Sequence, residues 1–215
     1  MQLYEIYRPK RLAQVVGQDK TIAGIRALMS GRRWDRDALL LIGPTGTGKT
    51  SIATALAHEL GCGPMSIMML DGDKCSVEAV RDLERSLSMG SLDSSEGWRV
   101  VIVDEAHNMT PRAIQAWLTL LERIPARRLI VFTSTRLGDD LFGDSEFFKP
   151  FSGRVKTFKL TNQGLCEPFA RLVAGIARRE HLDGKPIEAY LKLAKECGNS
   201  CRAMLQAVEE RAMLT

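Results

Sequence analysis

The sequence predicts an α/β fold in which a parallel sheet is flanked by helices and followed by a smaller helical domain. Short apolar runs alternate with helical patterns up to about residue 160, as expected for parallel strands joined by crossover helices. A glycine-rich loop connects the first apolar run to a helix, and strand patterns end near Thr161. We therefore expect a sheet domain at residues 1–160 and a helical domain at residues 161–215.

The predicted strands are continuous apolar runs without alternating polar residues. Parallel strands that are covered by helices on both faces have this pattern. The four runs are Ala38–Ile42, Ser66–Leu70, Val100–Val103 and Leu129–Phe132.

Helix signals lie between and after these strands. A helix at Ser51–Leu60 is stopped by Gly61, a second follows the capping residue Ser76, and a third begins at Pro111. Three more are expected in the C-terminal part, at Glu167–Glu180, Pro186–Glu196 and Ser200–Met213. Residues 136–150 form the only long segment without a pattern, so we expect a functional or mobile loop there.

Composition excludes several classes of protein. The 215 residues carry 30 Lys and Arg against 26 Asp and Glu, a mild positive charge that permits a nucleic-acid partner without arguing for one. The five cysteines form neither a C-x-x-C pair nor a metal-ligand pattern with histidine, so we expect reduced thiols. No run approaches the length of a membrane span. A soluble, cytoplasmic protein without a membrane partner is expected.

A phosphate-binding loop follows the first predicted strand and opens a helix. The pattern G-x-x-x-x-G-K-T surrounds nucleotide phosphates with backbone N–H groups, while its lysine contacts the outer phosphates and its hydroxyl binds Mg²⁺. ATP and Mg²⁺ are therefore the expected ligands, with Thr50 as one metal ligand. The predicted nucleotide-binding residues here are Gly43, Pro44, Thr45, Gly46, Thr47, Gly48, Lys49, Thr50 and Ser51.

Two carboxylates end the third predicted strand, in the sequence RVVIVDEAH. Charged groups at the end of a buried strand are costly unless a metal ion or another partner compensates them. We expect Asp104 to hold Mg²⁺ and Glu105 to act as the general base for the attacking water. The letters DEAH also occur in helicases, but those enzymes close their site between two sheet domains, so His107 receives no role.

Three hydroxyl groups end the neighbouring strand, at Thr133, Ser134 and Thr135. Hydroxyl groups at this edge of a parallel sheet can orient the water that faces the terminal phosphate, or they can simply cap the strand. We take Ser134 as the candidate nucleotide sensor.

The order of these motifs resembles the AAA+ ATPases of the clamp-loader group, which includes the bacterial DNA polymerase III loader and the replication factor C small subunits. The segment YRPKRLAQVVGQDKTI is similar to the family's N-terminal box around the adenine. The resemblance implies nucleotide contacts from six residues of this box: Tyr7, Arg8, Pro9, Val16, Gly17 and Gln18.

Two arginines complete the resemblance. PFSGRVKTFKL is similar to the box whose arginine enters a neighbouring subunit's ATP site, although Gly153 and Val155 depart from its pattern. This implies that Arg154 is a catalytic finger acting in trans. GNSCRAMLQAVEE resembles the lid-domain box whose arginine contacts the ATP of its own subunit, which implies a second sensor at Arg202. From the sequence we expect neither the family's zinc insert nor its third, collar domain, as in a trimmed chain or a compact relative of the family.

The resemblance implies an ATPase subunit of a ring or spiral of AAA+ subunits that loads a sliding clamp on primer–template DNA. Lys74, Arg81 and Arg112 are candidate DNA contacts by position, and each is also a plausible surface charge. Two alternatives stay open: another AAA+ motor, such as a branch-migration motor or a helicase loader, and a scaffold subunit that binds nucleotide without hydrolysing it.

Overall fold

The computed structural model describes residues 2–31, 34–91, 93–136, 138–142 and 145–214. Five described strands form one sheet in the order β2-β3-β4-β1-β5, and every pair of neighbours is parallel. The strands are β1 (Arg36–Ile42), β2 (Ile67–Asp71), β3 (Arg99–Asp104), β4 (Arg128–Ser134) and β5 (Lys156–Lys159). The predicted fold class, a parallel sheet flanked by helices with a helical C-terminal region, is confirmed.

The helices of the described residues fall into three groups along the chain. Two precede the first strand, four lie between the first and the last strand, and three follow the last strand. They are α1 (Leu3–Ile6), α2 (Asp19–Met29), α3 (Lys49–Glu59), α4 (Val77–Leu87), α5 (Pro111–Glu122), α6 (Ser145–Ser152), α7 (Cys166–Arg179), α8 (Ile187–Glu196) and α9 (Cys201–Glu209).

Local signals set the ends of the helices that the sequence predicts. The Ser76 hydroxyl accepts the N–H of Ala79 at 3.1 Å and caps α4. Pro111 occupies the first turn of α5, where its missing N–H costs no hydrogen bond. The six predicted helices are all present, with ends that differ by a few residues.

Two elements correct the prediction for the end of the sheet region. Residues 145–152 form α6 instead of an irregular loop; Leu137, Gly143 and Asp144 lie outside the described residues. The helix forms because Phe151 is fully buried, with its ring edge-on to Phe132 at 4.9 Å, and this packing offsets the unfavourable Pro150. Strand β5 was not predicted because it is short and mostly exposed. Helices α1 and α2 were also not predicted.

Side chains of the central strands alternate between two hydrophobic clusters. Leu40 and Phe132 lie in the cluster beneath α4 and α5, whereas Leu39 and Val131 lie in the cluster beneath α2 and α3. Because both faces are covered, β4 is buried along its whole length. This explains the continuous apolar runs in the sequence.

The C-terminal helices α7, α8 and α9 form a third hydrophobic cluster, which also includes Leu3 of α1. The backbone N–H of Leu3 donates to the Glu209 carboxylate at 2.8 Å, which fixes α1 against α9. The N-terminal segment therefore packs on the C-terminal helices. The division of the chain into domains at residues 160 and 161 stays a prediction.

The parallel pairing brings the carboxyl ends of the strands to one edge of the sheet. Ile42 pairs with Ser134 in register, and Asp71 pairs with Asp104. Gly72, directly after β2, approaches the turn after β3 so closely that a Cβ atom there would lie 2.3 Å from the carbonyl oxygen of Glu105. Gly72 thus allows the two strand ends to meet.

We expect the substitution Gly72→Ala to destabilise the protein by about 1–3 kcal/mol, because the added methyl group overlaps the Glu105 backbone. The control is Gly175→Ala within α7, where an added Cβ meets no atom within 4 Å. Alanine is the better helix former, so this variant should gain up to about 1 kcal/mol. Urea unfolding measures both changes, and a Gly72→Ala protein as stable as the parent would contradict the close approach.

Candidate nucleotide-binding site

The glycine-rich loop lies between β1 and α3, at the carboxyl edge of the sheet. Gly46 and Gly48 have φ angles of +81° and +93°, which favour glycine because a Cβ atom strains this backbone. Helix α3 begins at Lys49. The unpaired N–H groups and the positive end of the helix dipole therefore face the loop, an arrangement that binds phosphate.

Lys49 is buried within this loop, with 6% of its surface exposed. Its Nζ atom donates to the carbonyl oxygens of Gly43 at 2.8 Å and Pro44 at 3.0 Å. Burial lowers the pKa of the ammonium group, while Glu105 and Asp104 act in the opposite direction. The carbonyl oxygens of Gly43 and Pro44 thus hold the Lys49 side chain within the loop. Its ammonium group is also near the carboxylates of Glu105 and Asp104.

Asp104 at the end of β3 accepts hydrogen bonds from two neighbouring elements. The Thr50 hydroxyl of α3 lies 3.0 and 3.1 Å from its two carboxylate oxygens, and the Thr133 hydroxyl of β4 also donates to it. Hard oxygen ligands of this kind suit Mg²⁺, so Thr50 and Asp104 fit the predicted metal site. The contact of Thr133 with Asp104 was not predicted, because three adjacent hydroxyl groups cannot be ranked from their sequence positions alone.

Glu105 has a left-handed backbone, with φ of +52°. Its N–H donates to the Thr133 hydroxyl at 3.1 Å, and its Oε2 atom lies 3.1 Å from Nε2 of His107. The other ring nitrogen of His107, Nδ1, is 3.2 Å from Oγ of Ser134. Burial lowers the pKa of His107, against the opposing effect of Glu105, and this favours the neutral imidazole.

The predicted sensor Ser134 is completely buried. It is connected to Glu105 through the His107 ring, and its Oγ accepts the N–H of Arg136 at 2.9 Å. Sequence reasoning gave His107 no role, because the motif DEAH by itself does not indicate which group the ring contacts.

A cavity of about 710 Å³ opens between the phosphate loop, the N-terminal segment and the C-terminal helices. One end is polar and includes the loop residues 45–51 with Asp104 and Glu105. Apolar and aromatic side chains from α1 and α7, among them Tyr4, Phe169 and Ile176, line the other end. The predicted residues Tyr7, Arg8, Pro9, Val16 and Arg202 all line this cavity.

Arg202 and Tyr7 connect the N-terminal segment to the C-terminal helices in the cavity wall. The Arg202 guanidinium lies 5.2 Å from the centre of the Tyr4 ring, within the range of a cation–π contact. The Tyr7 hydroxyl donates to the Glu180 carboxylate at 2.6 Å, which raises the pKa of the phenol. Tyr4 was missed because it lies outside any motif.

Gln18 and Gly17 support the cavity rather than line it. Gln18 is buried, and its Nε2 atom donates to the carbonyl oxygen of Thr161 at 2.8 Å and to that of Thr47 at 3.4 Å. It therefore joins the phosphate loop to the segment after β5. Gly17 has φ of +80° and lies against Leu165, where a Cβ atom would be 2.2 Å from Cδ2.

Arg154 lies apart from the cavity, between α6 and β5. Its guanidinium forms an ion pair with Glu122 at the end of α5 and donates to the carbonyl oxygen of Pro150 at 2.7 Å. This arginine lowers the pKa of the Glu122 carboxyl group. The structure therefore does not bring Arg154 to the nucleotide cavity of its own chain.

The three candidate DNA contacts, Lys74, Arg81 and Arg112, have exposed side chains. Lys74 forms an ion pair with Asp71 at 2.6 Å, while Arg81 and Arg112 project from α4 and α5.

None of the described helices has the length and apolar character needed to cross a bilayer.

Comparisons with known proteins agree with this architecture. Residues 39–143 match the family described as "ATPase family associated with various cellular activities (AAA)". The replication factor C small subunit of Staphylothermus marinus is 28% identical over 218 residues, which cover 98% of this chain and 63% of that protein. The DNA polymerase III subunit gamma/tau of Mycobacterium bovis is 32% identical over 159 residues, covering 63% of this chain and 27% of that protein. The chain thus spans less than two thirds of either relative.

The fold is also that of a solved structure, the Thermotoga maritima RuvB Holliday junction branch migration motor. The TM-score is 0.69 at 19% identity, with 94% of this chain and 64% of that chain covered. Identity this low supports a common fold only. Residues 39–143 therefore match the AAA family of ATPases, and the chain is similar, at modest identity, to clamp-loader subunits, as its motifs predict.

Proposed function

We propose that this chain binds and hydrolyses ATP as a subunit of a clamp-loader-like assembly. The observation that carries the ATPase proposal is the convergence of Lys49, Thr50, Asp104 and Glu105 at the polar end of a cavity whose apolar end can accept a base. Relationship to the replication factor C small subunit supports the clamp-loader part.

ATP binding follows from the two ends of the cavity. The phosphate groups bind to the N–H groups of the loop and to Lys49, which exchanges its contacts with the Gly43 and Pro44 carbonyl oxygens for phosphate oxygens. Arg202 contacts the phosphates from the C-terminal helices and thereby leaves the Tyr4 ring. The adenine lies against the apolar wall near Tyr7 and Pro9.

Thr50 and Asp104 would hold Mg²⁺, with Thr133 keeping the Asp104 carboxylate in place. The ion supplies positive charge to the outer phosphates when bound. Glu105 takes a proton from the water that attacks the terminal phosphate. The fixed backbone of Glu105, between Gly72 and Thr133, keeps its carboxylate on the cavity wall.

Arg154 acts on the ATP of a neighbouring subunit. Its separation from the lining of its own cavity supports a role in trans. In the single chain Glu122 holds the guanidinium, so engagement of a neighbour's nucleotide exchanges this ion pair for a phosphate contact. ATP then stabilises the interface between subunits, and hydrolysis loosens it.

Such an assembly opens a sliding clamp and follows primer–template DNA through phosphate contacts. Lys74, Arg81 and Arg112 are candidates for those contacts because they are exposed cations. The fold is shared with a branch-migration motor. Branch migration is therefore the alternative activity against which the clamp-loader proposal is tested.

Two substitutions separate nucleotide binding from hydrolysis. Lys49→Ala should abolish tight ATP binding, because the cradle loses its only buried cation among the described residues. Glu105→Gln should bind ATP normally and turn it over about 10²–10⁴-fold more slowly, because it keeps the shape of the side chain and lacks the base. Fluorescent-nucleotide titration and phosphate release measure the two effects. Lys192→Ala on α8, an exposed lysine, is the control. Equal loss of binding in both variants would contradict the role of Glu105.

The trans role of Arg154 predicts complementation between two inactive variants. Arg154→Ala should bind ATP and be slower by about a thousandfold, since it lacks the finger. Mixing it with Lys49→Ala pairs an intact pocket with an intact finger, so part of the activity should return. Arg171→Ala, which removes an exposed ion pair on α7, is the control. Mixed oligomers seen by native mass spectrometry without recovered activity would show that Arg154 does not act in trans.

The identity of the DNA substrate is tested by stimulation of ATP hydrolysis. Primed template with a sliding clamp should stimulate the intact protein more than a four-way junction does, and added salt should weaken binding because the contacts are to phosphates. Greater stimulation by the junction would favour a branch-migration motor. ATP binding without hydrolysis under every condition would favour a scaffold subunit.

A further inference from the structure

The His107 side chain connects the ends of β3 and β4 behind the proposed catalytic site. Nε2 lies 3.1 Å from Oε2 of Glu105, and Nδ1 lies 3.2 Å from Oγ of Ser134. Only 9% of the side chain is exposed. A half-turn of the ring about the Cβ–Cγ bond would place carbon atoms where the two nitrogens lie, so the ring cannot turn over without losing both contacts.

The chemistry of the partners assigns the protons of this ring. An ionised carboxylate only accepts hydrogen bonds, so Nε2 carries the proton that is donated to Glu105. Nδ1 of the neutral ring is then an acceptor within reach of the Ser134 hydroxyl, which also lies 3.1 Å from the carbonyl oxygen of Arg136. The oxygen of Ser134 is itself held by the N–H of Arg136 at 2.9 Å. Besides Glu105, the charged groups that face the ring are Lys49 and Arg136.

His107 is also the group that orients the end of the Glu105 side chain. The backbone of Glu105 is fixed by the Thr133 hydroxyl and by the close approach of Gly72. Its side chain is 43% exposed, and among the described residues only the imidazole contacts the carboxylate at hydrogen-bond distance. Without the ring, this carboxylate would sample several rotamers on the cavity wall.

We propose that His107 is a positioning residue that couples Ser134 to Glu105 and presents the Glu105 carboxylate to the attacking water. One carboxylate oxygen, Oε2, accepts the imidazole N–H, and the other receives the proton of the water. This inference rests on the proposed ATP hydrolysis with Glu105 as its base. It assigns the buried Ser134 an indirect action, through the ring, on the orientation of the base.

Three substitutions at position 107 separate positioning from packing. The amide nitrogen of glutamine can occupy the place of Nε2, whereas an asparagine amide reaches only the place of Nδ1. His107→Ala should therefore lower kcat about 10- to 100-fold, with the KM for ATP changed less than about twofold. His107→Gln should recover most of kcat, and His107→Asn should stay close to His107→Ala. A surface histidine on α3 supplies the control His58→Ala, which should match the parent.

A double substitution tests whether His107 acts through Glu105. Adding His107→Ala to Glu105→Gln should change kcat by less than about twofold, because the base that the ring positions is already absent. Urea unfolding and ATP binding of every variant identify any that is merely misfolded; the comparison of His107→Gln with His107→Asn remains valid when His107→Ala is unstable.

The outcomes distinguish the inference from the function on which it rests. If Glu105→Gln hydrolyses ATP at the parent rate, the proposed role of Glu105 fails. If Glu105→Gln is slow while His107→Ala is as fast as the parent or faster, only the positioning role fails. Equal activity of His107→Gln and His107→Asn, or a full additional loss in the double variant, would also overturn it.

Discussion

The hydrogen bonds around the Asp104 carboxylate are the interaction on which the candidate site depends. Thr50 from α3 and Thr133 from β4 both donate to it, so it joins the phosphate loop to the two central strands. A carboxylate at the end of a buried strand is stable only with such partners. This requirement brings Lys49 and Glu105 into the same space, because Lys49 directly precedes Thr50 and Glu105 directly follows Asp104.

Much of the fold was predictable because it is encoded by local patterns. Continuous apolar runs identified β1 to β4, and Ser76 and Pro111 marked the starts of α4 and α5. The core of the site was also predictable, since the phosphate loop is contiguous and its neighbours follow predicted strands. Parallel strands place their carboxyl ends together, which is why distant motifs could be assigned to one site.

The rest depends on contacts between residues far apart in sequence. Helix α6 forms because Phe151 packs against Phe132, and no local signal outweighs Pro150. The ring of His107 could not be assigned to Glu105 and Ser134 without knowledge of the turn after β3, whose left-handed start at Glu105 is not favoured by that residue type. Tyr4 contacts Arg202 across almost the whole chain.

The docking of α1 on α9 has a consequence for the order in which parts of the protein fold during its synthesis. The hydrogen bond between Leu3 and Glu209 closes a loop of 206 residues, so it forms only after the C-terminal helices have left the ribosome. The sheet with its phosphate loop needs only earlier parts of the chain. A nascent polypeptide can therefore form the phosphate loop of the candidate site before the C-terminal wall of the cavity is in place.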